Sequence, residues 1–378
     1  MNDDLIVFVY DHFYPDFSAG GPVTSLYNLA QLLKERHGVR IITSTYEYQS
    51  GRKMTGIRFD CWTDCRGLLI WYASDRSSIK KGIESVANDH SITLYLNGMF
   101  SPFYFLYPLW LAKKSKYKVI ISPRGMLQQG AMKRKRIKKE AYLLFLRLSG
   151  LLVSAAWHAT DKHEAGDIKL NVGVYANAVV VPNVPLVFES VKGIKKEKGV
   201  LRLVYFSLIT EKKNLLYFLE LLNAQDLLHV ELDIIGPVKD KPYWNRCEHA
   251  IRALPNPARV QYKGEINPER ISEILPAYHG LVLPTHGENF GHAIVEMLAC
   301  SRPVLISDKT PWNDITEYGS GYAVELDKQK WVDALKKMIN WNQEEFDVAS
   351  ASALNYYQSK FNFDDLKMRY LNLFSNRS

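Results

Sequence analysis

A chain of 378 residues is too long for one ordinary hydrophobic core and suits two domains of roughly 150–200 residues each. Its 47% hydrophobic and 23% charged residues are the composition of a soluble globular protein, and no window of 18 or more apolar residues offers a membrane span. Four cysteines make no disulfide framework in a chain of this size, and Cys61-x-x-x-Cys65 lacks the second ligand pair of a zinc site, so a reduced cytoplasmic compartment is expected.

The net charge of +8 is uneven, with eleven Lys or Arg and no acid between Lys113 and Lys139. Three readings compete for that run: a solvated helix face, contact with an anionic membrane surface, and nucleic acid. No nucleic-acid module motif accompanies it, so no nucleic-acid partner is expected.

In chain order, apolar runs alternate with amphipathic patterns throughout, which predicts α/β architecture with parallel sheets. Leu5–Tyr10 follows an acidic start without the basic region of a signal peptide and reads as a first buried strand. A loop ending Gly20-Gly21-Pro22 then feeds a helix with Val23, Leu26, Tyr27, Ala30 and Leu33 on one face. Val39–Ser44 is the next strand, and 46–66 reads as an irregular excursion. Leu68–Tyr72, Ile92–Leu96, Val119–Ser122 and Ala155–Thr160 continue the first sheet. Polar residues at three of these strand ends, Asn97, Arg124 and His158, are candidates for a shared cleft, each weighed against a turn or structural role. Lys133-Arg-Lys-Arg-Ile-Lys-Lys139 opens a helical pattern whose apolar face is Ile137, Ala141, Leu144, Phe145 and Leu148. Residues 1–185 form the expected first domain, and the Lys- and Gly-containing stretch 186–200 reads as an exposed linker.

The second domain, 201–355, opens with Leu201–Ser207, a loop through Lys212-Lys213-Asn214 and an amphipathic helix. Strands follow at Val230–Ile235, Arg259–Tyr262, Gly280–Leu283 and Pro303–Ser307. The chain is helical from about 327, and a C-terminal helix at 356–378 is expected to pack back on the first domain. The most informative stretch is Pro284-Thr-His-Gly-Glu-Asn-Phe-Gly-His-Ala-Ile-Val-Glu296. A strand runs into a glycine-rich turn and a helix starting near Gly291, which aims N–H groups and the positive helix end at a bound anion. Glu288 and Glu296 bracket that junction and suit hydroxyl groups, which carboxylates accept in short, strong hydrogen bonds. Phosphate plus hydroxyls describes a nucleotide sugar.

With these residues in place the chain resembles, over nearly its whole length, the retaining nucleotide-sugar glycosyltransferases of the GT-B fold, glycosyltransferase family 4. Glu288 and Glu296, with seven residues between them, match the family's paired-Glu motif, and Gly20-Gly21-Pro22 stands at its glycine-rich first loop. The resemblance implies two Rossmann-like domains facing a central cleft. It also implies a retaining, metal-independent transfer from a nucleotide-diphosphate sugar, UDP- or GDP-linked, with no cofactor. Glu296 would hold the ribose hydroxyls and Glu288 the transferred sugar. Asn289, Phe290 and Gly291 would line sugar and diphosphate. Lys213 would neutralise the diphosphate, with Gly20 and Gly21 approaching it. The catalytic candidates are thus Glu288, Lys213, Asn97 and His158, and the donor-binding ones add Arg124 to the glycines, Asn289, Phe290 and Glu296. The chain departs from the family at Leu208, where an Arg is usual, and at Asn97, where many members carry His. The aromatic and basic region 99–148 suggests a lipid-linked glycan acceptor at the cytoplasmic leaflet, as in O-antigen, capsule or exopolysaccharide assembly. A degraded sugar-nucleotide-binding relative, or a hydrolase or epimerase of the same fold, are the alternatives.

Overall fold

A computed structural model describes residues 5–375 apart from 35–37, 49, 134, 177, 187–192, 228 and 267–269. The chain divides into two compact units. One comprises Met1–Val184 together with Phe363–Ser378, and the other Pro185–Asn362.

The first unit is built on eight strands: β1 (Leu5–Val9), β2 (Val39–Ser44), β3 (Trp62–Cys65), β4 (Leu68–Ala73), β5 (Ile92–Asn97), β6 (Lys118–Ser122), β7 (Ala155–Ala159) and β8 (Ala178–Val180). They lie in the order β3-β4-β2-β1-β5-β6-β7-β8, parallel except for β3, which runs antiparallel to β4. Period-two alternation along β1 separates two cores. Val7 and Val9 face the one that holds Leu94, Leu96 and Ile121, while Ile6 and Phe8 face the one that holds Leu26, Ile41 and Tyr95. Leu366, Tyr370, Leu373 and Phe374 of the C-terminal helix Phe363–Ser375 join this second core, and Tyr370 donates its hydroxyl to Pro182 O at 2.8 Å.

The second unit holds six parallel strands: β9 (Leu201–Phe206), β10 (Val230–Ile235), β11 (Val260–Gly264), β12 (Gly280–Leu283), β13 (Val304–Ser307) and β14 (Gly321–Val324), in the order β11-β10-β9-β12-β13-β14. Adjacent strand ends come close at Gly236, whose φ of 141° is paired with a backbone approach that leaves no room for a side chain. A Cβ there would stand 2.0 Å from Ser207 O.

Two expectations change. The stretch 46–66 contains an edge strand, β3. The helix Gln343–Lys360 stays in the second unit, so the chain returns to the first at Phe363 rather than at 356. The linker expected at 186–200 lies in part outside the described residues; its described end, 193–200, is mostly exposed as expected but is anchored at one residue. Lys196 is buried and donates to Ile339 O at 3.1 Å and Trp341 O at 3.0 Å, closing the C-terminal turn of the helix Lys328–Asn340. Finally, the helix Arg136–Leu148 buries only Leu143 and Leu146. The apolar stripe faces solvent, with Ile137 83% and Leu148 79% exposed and Leu144 and Phe145 more than half exposed.

Candidate active site

The second sheet reverses its winding between β9 and β12, since β10 and β11 lie to one side and β13 and β14 to the other. Open α/β sheets bind ligands beyond the carboxyl ends of their strands at such a reversal. The loops leaving β9 and β12 are joined there. His286 N donates to Lys212 O at 2.8 Å, Thr285 Oγ1 donates to the same carbonyl at 3.2 Å, and Gly287 N donates to Thr285 Oγ1 at 3.1 Å. From the loop after β13, Lys309 O accepts from Glu288 N at 3.0 Å, while Ser307 Oγ donates to Thr285 O at 2.5 Å. These bonds fix the backbone on both sides of the reversal. Across it, Lys213 Nζ donates to Glu288 Oε1, with both side chains largely buried. A desolvated, charge-assisted contact of this kind holds two long side chains in one geometry.

Beyond Glu288 the chain turns into the helix His292–Ala299, with Gly291 at φ +75° as its first cap. The amides of Asn289, Phe290 and Gly291 have no acceptor among the described residues. Three successive N–H groups at the positive end of a helix form an anion-binding concavity. Sequence reasoning missed what braces it. Trp312 Nε1 donates to Phe290 O at 2.5 Å, and the Phe290 ring meets Trp312 and Phe361 edge-on at 5.9 and 6.1 Å.

Glu296 lies one turn inside the helix and is 3% exposed. Its carboxyl has no hydrogen-bond partner among the described residues, and burial pushes its pKa up to about 8. Leu208, the place where the resemblance expects a cation, uses its carbonyl to accept from Tyr205 at 3.3 Å. A different cation stands close by, with Lys212 Cε 3.7 Å from where a Cβ on Gly287 would lie.

The remaining candidates belong to the first unit. Gly20, at φ +80°, caps the helix Gly21–Leu33, and the amide of Gly21 has no acceptor among the described residues. Asn97, at the end of β5, is buried. Its Oδ1 accepts from Arg124 Nε at 2.8 Å, while its Nδ2 finds no partner among the described residues. Arg124 also donates to Tyr95 Oη at 2.9 Å and to Asn183 Oδ1. The Arg124-Gly125 turn is pinned by the buried Glu164, which accepts from Gly125 N at 2.6 Å and Thr160 N at 2.7 Å. Arg124 is therefore a positioning group at the ends of β5 and β6, with its guanidinium committed to its own unit.

His158 is corrected. It is fully buried, with Nδ1 on Tyr95 Oη at 2.7 Å and Nε2 on Val181 O at 2.8 Å. Burial and then the Arg124 charge push its pKa down to about 3, so it is a neutral structural link that orients Tyr95. Arg124→Ala is expected to cost about 2–4 kcal/mol in urea unfolding, because it strands several buried acceptors at once. Arg124→Lys should recover little of this, since one ammonium does not reach three separate partners.

Among the described residues no group of three or more His, Cys, Asp or Glu is gathered as a metal site, and no helix is long and apolar enough to cross a membrane. Residues 188–353 match the family described as glycosyl transferases group 1, so the second unit is a transferase domain. The chain is 27% identical over 109 residues to the O-antigen chain mannosyltransferase RfbU of Salmonella typhimurium, a stretch that spans 29% of either chain. The structure superposes on Anabaena Alr3699/HepE in complex with UDP and glucose with a TM-score of 0.70 at 13% identity, covering 98% of this chain and 99% of that one. On WaaG, a glycosyltransferase involved in lipopolysaccharide biosynthesis, it reaches 0.64 at 12% identity, covering 99% and 100%. The two α/β units with parallel-sheet, Rossmann-like cores are thus the GT-B fold of these glycosyltransferases.

Proposed function

From a transferase domain of glycosyl transferases group 1 at its C-terminal end, we propose that this chain moves a sugar from a UDP- or GDP-linked donor to a lipid-linked glycan, with retention and without a metal, in surface-polysaccharide assembly. What supports this most is the convergence at one sheet reversal of an ion pair (Lys213–Glu288) with three N–H groups and a buried carboxyl that have no hydrogen-bond partner among the described residues. Each answers one part of a nucleotide sugar. The amides of Asn289, Phe290 and Gly291 take phosphate oxygens, Glu296 takes the ribose hydroxyls, and Glu288 takes a hydroxyl of the transferred sugar. As the bond from the anomeric carbon to the diphosphate breaks, the diphosphate leaves with the electron pair, the acceptor oxygen closes on the carbon, and the acceptor's hydroxyl proton passes to the leaving diphosphate oxygen. The charge that develops on the leaving oxygen is met by Lys213 and the N–H groups, which are in place beforehand. Lys212, beside Gly287, supplies the second positive charge that Leu208 does not.

For the acceptor side, the exposed apolar stripe of Arg136–Leu148, flanked by Lys and Arg, suits the surface of an anionic cytoplasmic leaflet. Vesicles containing an anionic lipid should bind the protein at low salt and release it as salt rises. An absence of binding at low salt sinks the membrane part alone. For the chemistry, a thermal-shift panel of nucleotide sugars identifies the donor, because a ligand at about 100 times its Kd stabilises the folded state by ~2.7 kcal/mol. With that donor, nucleoside diphosphate should appear only when a lipid-diphosphate-linked saccharide is added. Release at the same rate without it makes the protein a hydrolase, and a panel with no shift makes it a degraded relative.

A further inference from the structure

Three amides without acceptors serve an anion only if their orientation is fixed, and the last of the three has the least intrinsic reason to stay put. The Phe290–Gly291 peptide is trans and planar, so Phe290 C=O and Gly291 N–H point in opposite directions. Turning that plane over would change the φ of Gly291, which stands at +75°, and glycine accepts either sign without steric cost. A contact from outside the turn must therefore select one orientation. Trp312, on the loop after β13, supplies it. Its Nε1 donates to Phe290 O at 2.5 Å, which holds the carbonyl toward the indole and directs the Gly291 N–H away from it. The same bond polarises the peptide and makes that N–H the stronger donor.

The indole is itself held. Trp312 is buried, its backbone N donates to Thr310 Oγ1 at 3.2 Å, and its ring meets Tyr356 edge-on at 6.3 Å and Phe361 at 5.9 Å. Tyr356 lies in the last turns of the helix Gln343–Lys360 and Phe361 caps it. Two residues beyond Trp312, Asp314 accepts from Tyr356 Oη, and it also accepts from Lys360 Nζ at 2.6 Å, which ties that helix end to the Trp312 loop. A ring packed on several sides is confined to one rotamer, so its N–H is aimed before any ligand arrives.

We infer that Trp312 is a positioning residue for the anion-binding turn, its indole N–H keeping the Gly291 N–H turned toward the phosphate. The inference rests on reading that turn as the diphosphate cradle, but not on the nucleotide or the sugar.

Calorimetric titration with pyrophosphate in the absence of divalent metal, and then with UDP and GDP, tests it on two variants that separate donor from volume. Trp312→Phe keeps a six-membered ring and loses the N–H. Trp312→His loses the benzo ring but can carry Nε2–H where the indole N–H stood, and at about pH 8 it adds no charge. Urea midpoints should fall from wild type to Trp312→Phe to Trp312→His, because the imidazole leaves the larger cavity. Pyrophosphate affinity should not follow that order. Trp312→Phe should weaken it by about three- to tenfold, the loss of one hydrogen bond, and Trp312→His should bind more tightly than Trp312→Phe. Tyr278→Phe removes a hydrogen bond to Asp233 Oδ2 elsewhere in the second unit, so it should lower the urea midpoint and leave pyrophosphate affinity unchanged. That comparison stands even where Trp312→His does not fold. Wild-type affinity in Trp312→Phe overturns the inference, as does an equal loss in Tyr278→Phe or tighter binding by Trp312→Phe than by Trp312→His. A wild-type protein that binds neither pyrophosphate nor a nucleoside diphosphate overturns both the inference and the transferase reading. Pyrophosphate binding that depends on the Trp312 N–H, in a protein that binds neither UDP nor GDP, leaves the role of Trp312 standing and removes the nucleotide-sugar reading alone.

Discussion

Glu288→Gln and Lys213→Ala are each expected to lower kcat/KM for sugar transfer by about 10²–10³-fold, the loss that follows removal of one preorganised group aimed at developing charge. The two variants should fail differently. Glutamine at 288 still accepts from Lys213, so the loop geometry survives and donor binding changes little. The loss should fall on kcat, because only the stabilisation of the reacting sugar is weakened. Alanine at 213 removes the cation proposed to face the diphosphate and leaves Glu288 largely buried without its counter-charge. Removing one partner of a buried pair costs about 3–5 kcal/mol, so Lys213→Ala should also unfold at lower urea and bind nucleotide diphosphate more weakly. Initial rates of nucleoside diphosphate release with acceptor present, paired with urea midpoints, separate the two. Turnover near wild type in both variants would remove these residues from the site.

How much of this was legible in the sequence differs from place to place, for physical reasons. The strand before Pro284 and the helix after Gly291 follow from local patterns: a buried apolar run, a glycine at the cap and an apolar helical face. Both were read to within a residue or two. The edge strand β3 was missed because Trp62–Cys65 is short and half polar, and only its antiparallel pairing with β4 makes it a strand. His158 looked like Asn97 and Arg124, a polar residue at a strand end. What distinguishes it comes from chain far away, from Tyr95 and Val181. Lys196 sat in a run of lysines that reads as solvated, and the carbonyls that capture it lie some 140 residues on, at Ile339 and Trp341. The winding reversal that brings Lys213 to Glu288 depends on strand order, which no local pattern encodes. Motif and spacing thus pointed to the turn between Glu288 and Gly291, whereas the polar network around Arg124 required the fold.

The largest conflict between stability and function lies at Glu296. Its folded-state pKa, pushed from 4.5 to about 8 by burial, exceeds that of the unfolded chain. The folded state therefore holds the proton more tightly. The stability tied to that proton is complete below the unfolded pKa and is lost as pH rises through the folded one, between about 4.5 and 8. At about 1.4 kcal/mol per pKa unit, the loss above that window is on the order of several kcal/mol. Glu296→Gln carries no ionisable group and escapes it. The variant should melt with the wild type near the acid end of the window and progressively above it as pH rises. Ribose hydroxyls that donate to the carboxylate favour its ionised form, so wild-type nucleotide affinity should strengthen from about pH 6 to 8 with release of a proton, while that of the variant stays flat. Loss of the charged hydrogen bonds should weaken nucleotide binding about 10- to 100-fold at the upper end of that range. Calorimetric titration in buffers of different ionisation enthalpy reads the proton, and melting curves across pH read the stability. A gap in Tm that does not change with pH, or nucleotide binding equal to wild type, would make Glu296 an ordinary core residue. A rise in stability joined to a fall in affinity would mean that this buried carboxyl is kept for the ligand.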